Sequence, residues 1–168
     1  MAALAVVLNF LKVDLGPEGG SINLVFIPLM VYALRWGCPA GMAVGFVFGI
    51  LKAIIGGGIA YGWQSLLLDY SVAYAMVGLA GLFPEKPVMS SVPGALGCLA
   101  SFVLSGVLVW GDWLPESFWG MKMTNIWVYS ILYNGSFVAI DEIIAAIAIS
   151  ALGRKGLLLR QDSDKTAQ

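Results

Sequence analysis

The chain has 168 residues, of which 60% are hydrophobic and 11% charged, against about 45–50% and 25% in an ordinary soluble domain. A water-soluble protein of this size needs more charge than that to stay dispersed, so lipid is the expected solvent. The formal net charge of −1 and the lack of any basic run exclude a nucleic-acid partner. The absence of histidine removes imidazole-based catalysis, imidazole-held metal and the usual proton shuttle.

A bilayer-crossing helix takes about 20 mostly apolar residues, and six apolar runs are found. They are Met1–Val13, Ile22–Leu34, Pro39–Ile55, Gln64–Phe83, Pro93–Trp110 and Ile126–Leu152. Breaks fall at Gly16-Pro17-Glu18-Gly19-Gly20, Arg35-Trp36-Gly37, Gly56-Gly57-Gly58, Pro84-Glu85-Lys86-Pro87 and the stretch Gly111–Asn125. The expected architecture is all-α: a compact bundle of six transmembrane helices over 1–153, with a polar cytoplasmic tail over 154–168. The first run starts at Met1 and is short, so that helix is expected to be truncated at its N-terminus. Of nine basic residues, Arg35, Lys86, Arg154, Lys155, Arg160 and Lys165 share one side of this layout; Lys12, Lys52 and Lys122 lie toward the other. The positive-inside tendency then sets both termini in the cytoplasm, and the loops Asp14–Ser21, Gly56–Gly62 and Gly111–Asn125 outside.

Along the third run Gly37, Gly41, Gly45 and Gly49 recur every four residues, a small-residue stripe that lets helix backbones approach closely in lipid. Gly94, Gly97, Ser101 and Ser105 repeat the idea in the fifth. Cys38 and Cys98 stand alone in apolar stretches and read as packing residues.

An ionisable group inside a span costs about 2.5–3.5 kcal/mol on insertion scales, which makes each one a functional candidate. Asp69 lies about two turns below the start of the fourth run. Around it, in the half assigned to the outside, fall Asn23, Phe48, Tyr70, Trp110, Tyr129 and Asn134. A carboxylate ringed by aromatic faces suits an organic cation, with Asn23 and Asn134 able to give directional hydrogen bonds. Trp113, Trp119 and Trp127 read as interfacial belt residues. Asp141 and Glu142 lie deeper in the sixth run, where a structural bond within the bundle is the simpler reading. No GxxxxGK[ST] loop occurs, so any pumping must draw on a partner or an ion gradient. No cofactor and no metal site is expected.

Several blocks resemble a known family. Ser21-Ile22-Asn23-Leu24-Val25-Phe26-Ile27-Pro28, Ala33-Leu34-Arg35-Trp36-Gly37 and Gly45-Phe46-Val47-Phe48-Gly49-Ile50-Leu51 are followed by Leu68-Asp69-Tyr70 and Gly78-Leu79-Ala80-Gly81-Leu82-Phe83. Ser105-Gly106 with Trp110, then Tyr129 with Tyr133-Asn134-Gly135, complete the likeness. Together they resemble the thiamine-specific substrate-binding subunit of energy-coupling factor transporters, over nearly the whole chain. The resemblance implies a six-helix protein of the bacterial cytoplasmic membrane that captures thiamine at the outer face. It implies docking on a transmembrane coupling protein and two cytoplasmic ATPase subunits, through a first-helix alanine stripe of which Ala2, Ala3 and Ala5 remain. It assigns Asp69 a binding carboxylate, Tyr70 a binding tyrosine, Trp110 a stacking aromatic, and Tyr129 and Asn134 polar contacts. Three positions depart from the pattern: Asn23 stands where a glutamate can occur, Phe48 where a tryptophan can, and Phe102 where a histidine often does. A retuned preference for a thiamine precursor or related pyrimidine is therefore the alternative. A membrane-embedded enzyme using Asp69, Asp141 and Glu142, and an ion-coupled carrier working alone, rank below both.

Overall fold

The computed structural model describes residues 1–14 and 20–158. Six helices make up the bundle. The first is Ala2–Asn9, the second Phe26–Trp36, the third Cys38–Ile55, the fifth Pro87–Leu108 and the sixth Ile126–Arg154. The fourth, over 63–81, changes pitch along its length: α-helical at Trp63–Ser65, π-helical at Leu66–Ser71, α-helical at Val72–Val77 and 3-10 at Gly78–Gly81.

The third, fifth and sixth helices are long and apolar enough to cross a membrane; the second is an apolar helix of 11 residues. The expectation of six spans is thus met as six helices, three of them of membrane length. The first helix has only 8 residues, about 12 Å at 1.5 Å per residue. It ends early because the chain turns into an antiparallel pair, Val13 opposite Ile22 and Asp14 opposite Ser21. The fifth helix starts at Pro87, six residues before its expected start, because a proline in the first turn has no N–H to leave unpaired. Pro93 is accommodated inside it. Trp110 falls beyond the end of this helix, not within it. Residues 15–19 of the first expected break and 159–168 of the expected tail lie outside the described residues.

The glycine stripe of the third helix does what its spacing implies. A Cβ on Gly41 would stand 2.4 Å from Ala33 Cβ of the second helix. One on Gly45 would stand 2.0 Å from the Tyr74 carbonyl oxygen, and one on Gly49 would stand 2.4 Å from that of Tyr70. Gly78 and Gly81 of the fourth helix are equally tight against Met42 and Cys38, so the two backbones approach from both sides. Gly37 starts the third helix at φ +89°, which lets it follow the second after one linking residue. Gly94 in the fifth helix meets the Val77 carbonyl in the same way.

The core runs through Phe26, Leu29, Met30, Phe48, Tyr74 and Val77, all buried. Ala5 is buried with them, whereas Ala3 of the same helix is exposed. Leu96, Leu108, Ile143 and Ile147 point outward from the fifth and sixth helices, as lipid-facing side chains do. Lipid tails are as apolar as leucine, so close packing and interhelical hydrogen bonds hold such a bundle together. Gly45→Ala should therefore lower the thermal unfolding midpoint in detergent, by an amount equivalent to about 1–3 kcal/mol. Gly135→Ala, where a Cβ meets nothing within 4 Å, should leave the midpoint unchanged or raised.

Candidate functional site

The π-helical turn Leu66–Ser71 carries Asp69. A turn of this kind holds one residue more than an α-turn and breaks the regular i→i−4 ladder, so its carbonyls need other donors. Two serines provide them. Ser71 Oγ donates to the Leu66 carbonyl at 3.0 Å, and Ser101 Oγ, reaching across from the fifth helix, donates to the Leu68 carbonyl at 2.7 Å. The extra residue also lets Asp69 and Tyr74, five apart in sequence, share a wall as i,i+4 neighbours do in a regular helix.

The Asp69 carboxylate is held at one oxygen. Ser65 Oγ donates to Oδ2 at 2.7 Å and Trp110 Nε1 to the same atom at 3.0 Å. Oδ1 takes no bond among the described residues. The Trp110 indole follows the last turn of the fifth helix, where Val109 N and Trp110 N both donate to the Ser105 carbonyl. Its ring meets that of Tyr61 edge-on, at 5.1 Å between centroids.

These groups border a cavity of about 1060 Å³ at the end of the bundle formed by the 56–62 and 111–125 connections. Drug-sized ligands occupy pockets of about 300–1,000 Å³, so the space is ample for a small heterocycle. Of the eight residues singled out in the sequence, Asn23, Asp69, Phe102, Trp110, Tyr129 and Asn134 line it. Phe48 and Tyr70 do not. Phe48 is fully buried behind Tyr74, its ring edge-on at 4.8 Å. The ring of Tyr70 presses instead on Gly58, where a Cβ would come within 2.4 Å of it.

The two asparagines are partly engaged. Asn23 Oδ1 accepts from Val25 N at 3.1 Å, opening the second helix, which leaves its side-chain nitrogen. Asn134 Nδ2 donates to Ser130 O at 3.0 Å and Ser130 Oγ at 3.2 Å, which leaves its carbonyl oxygen as acceptor. Tyr129, Tyr133 and Phe137 climb the sixth helix at four-residue intervals, with neighbouring centroids 5.5 Å and 5.2 Å apart. Phe118, from the hairpin Ser117–Phe118 and Met121–Lys122, packs edge-on against both tyrosines. Trp113 and Trp119 are largely exposed, as belt residues would be, although Trp113 also borders the cavity mouth.

Two lining residues, Lys52 and Asp141, carry chemistry that the sequence alone did not assign to the site. Lys52 sends its ammonium inward, where it hydrogen-bonds the Tyr74 hydroxyl. Asp141 Oδ1 accepts from the Asn23 backbone N–H at 2.9 Å. Asp141 thus makes the expected structural bond and also faces the cavity. Glu142 turns away to accept from Ser91 Oγ at 2.5 Å, so the two adjacent acids serve different surfaces and do not form a carboxylate pair. A signal for Lys52 was available: it prolongs the Gly41-Gly45-Gly49 stripe by three residues, on the helix face that turns inward.

A family model described as thiamine transporter protein matches residues 1–160. The thiamine transporter ThiT of Bacillus subtilis is 34% identical over 173 residues, covering 90% of this chain and 85% of that protein. ThiT of Lacticaseibacillus paracasei is 30% identical over 171 residues, covering 90% and 82%. The solved structure of ThiT from Listeria monocytogenes superposes with a TM-score of 0.80 at 24% identity, over 94% of this chain and 92% of that one. The chain belongs to the thiamine transporter family.

Membership makes it a multi-pass bacterial membrane protein with a transport function, not an enzyme. Within this member, the fourth helix keeps its irregular turn only while the freed carbonyls have donors. Ser101→Ala removes the donor from Leu68 and should lower the thermal unfolding midpoint by the equivalent of about 1 kcal/mol. Ser136→Ala should have little effect, because that hydroxyl only bonds back to the Tyr133 carbonyl within its own helix.

Proposed function

We propose that the protein binds thiamine in this cavity as the capture subunit of an uptake transporter, taking the vitamin from the outer face. The single observation that carries the reading is Asp69. Its carboxylate is fixed at Oδ2 by Ser65 and Trp110, Oδ1 takes no bond among the described residues, and the residue lines a chamber together with Trp110, Tyr61 and Tyr129. A half-buried anion among ring faces attracts an organic cation through Coulombic and cation–π terms together. The thiazolium of thiamine is such a cation, and two relatives at 34% and 30% identity are named thiamine transporters. The Asn134 carbonyl oxygen and the Asn23 side-chain nitrogen, each left over from its structural bond, supply polar contacts for the rest of the ligand.

Energy must come from elsewhere, since the chain has no phosphate-cradling loop. The sequence resemblance supports a coupling membrane protein with two ATPase subunits as that source, and the first helix, with Ala3 outward, is the surface we assign to the contact.

Purified protein in detergent should lose tryptophan fluorescence on addition of thiamine, because Trp110 borders the site. Asp69→Asn keeps an acceptor for Ser65 and Trp110 while removing the charge, and should weaken thiamine binding by about 10- to 100-fold. Folded wild-type protein that gives neither quenching nor calorimetric heat with thiamine would remove the proposal. Preferential binding of a free pyrimidine in the same titration would favour the precursor reading.

A further inference from the structure

The cavity contains more charge than a site for one cation requires. Lys52 extends from the last turn of the third helix into the chamber that Asp69 lines. Its ammonium bonds the Tyr74 hydroxyl and stands 4.6 Å from the centre of that ring. In the same chamber, Asp141 of the sixth helix uses Oδ1 for the Asn23 N–H and receives nothing at Oδ2 from the described residues. Lysine and aspartate have different protein partners, so neither is consumed by the other. The ammonium keeps two of its three N–H donors and the carboxylate keeps one oxygen. Ionised groups held in the interior of a membrane bundle are costly, and they mark the place where a polar substrate completes the bonding.

The pair also dictates what kind of group can occupy that place. A ligand cation is repelled by Lys52 and is steered to Asp69, which has hydroxyl and indole donors but no cationic neighbour in hydrogen-bond contact. What suits an acceptor and a donor lining one chamber is a neutral ring whose exocyclic amine sits next to a ring nitrogen. Such an amine would donate to Asp141 Oδ2 while the ring nitrogen would accept from Lys52 Nζ. Ring faces for such a plane are present in Tyr74 and Phe102, packed edge-on at 6.0 Å, and in Phe137.

We infer that Asp141 and Lys52 form a second recognition pole, which reads the amino-heteroaromatic end of a ligand whose cationic end rests on Asp69. The inference rests on thiamine being the ligand, and it makes Asp141 and Lys52 specificity-determining residues for the aminopyrimidine ring.

The test compares thiamine with oxythiamine, in which a carbonyl oxygen replaces the exocyclic amine, so that donor and acceptor on that edge are exchanged. Both are titrated calorimetrically into detergent-purified wild type, Asp141→Asn and Lys52→Met. Wild type should prefer thiamine. Asp141→Asn retains an acceptor for Asn23 N but presents an amide to the ligand, and should shrink the preference about tenfold or more, mainly by weakening thiamine. Lys52→Met keeps the apolar stem, removes a buried charge and should shrink the preference in the same direction. It decides the matter if Asp141→Asn does not fold. Thiamine binding by wild type with a preference that neither variant alters overturns this inference and leaves the proposed function standing. No thiamine binding by folded wild type overturns both.

Discussion

One carboxylate oxygen, Asp69 Oδ2, receives two donors from two different parts of the chain, and much of the site follows from that. A charged side chain within a span is tolerated where its hydrogen bonds are made inside the protein. Ser65 supplies one from the preceding turn of the same helix. Trp110 supplies the other from just past the end of the fifth helix, which fixes the indole ring and the start of the 111–125 connection beside the acid. The fourth helix can present Asp69 this way because it is π-helical there. That irregular turn survives because Ser71 and Ser101 occupy the Leu66 and Leu68 carbonyls. Ser101 and Trp110 both belong to the fifth helix or its exit, so one element supports the carboxylate's backbone and its oxygen together.

The glycine stripe on the third helix has a consequence beyond packing. By pressing the third helix against the Tyr70 and Tyr74 carbonyls, Gly45 and Gly49 bring the next inward position, Lys52, within reach of the Tyr74 hydroxyl. A larger residue at either glycine would separate the helices and withdraw the ammonium from the cavity. Close backbone approach, which lipid offers no hydrophobic drive to enforce, here sets the position of a charge as well as the density of the core.

Helix number, the small-residue contacts and the pairing of Asp69 with Trp110 were legible in the sequence because each follows from an unusual residue type: glycine at fixed spacing, or an acid within an apolar run. The departures have equally particular causes. Tyr70 was expected beside Asp69, but the face of a residue in a π-turn cannot be read from a 3.6-residue period, and its ring lies against Gly58. Phe48 shares the apolar character of a cavity wall and of a core, and burial alone separates the two. Lys52 was counted as a topological charge, a use that hides its inward direction. Asn23 does line the cavity, but the sequence did not show that its side-chain Oδ1 is taken by Val25 N or that its backbone N–H meets Asp141.

That last contact bears on two of the three positions where the sequence departs from the pattern it resembles, Asn23 and Phe102. A neutral Asn23 in place of glutamate removes a negative charge near the start of the second helix. Phe102 in place of histidine removes a hydrogen-bonding ring from the fifth. The structure has an acid beside Asn23 and a base one ring away from Phe102, delivered by other helices. Asp141 approaches the Asn23 nitrogen to 2.9 Å from the sixth helix, and Lys52 from the third bonds Tyr74, whose ring packs on Phe102 at 6.0 Å. A pocket needs a carboxylate and a donor at given points in space, not at given points in sequence. Side chains long enough to reach a shared cavity from neighbouring helices can meet that need. The polar groups at the cavity come from several helices, and its described lining keeps a net negative charge, with Asp69, Asp112 and Asp141 opposing the single ammonium of Lys52. That balance favours a cationic ligand.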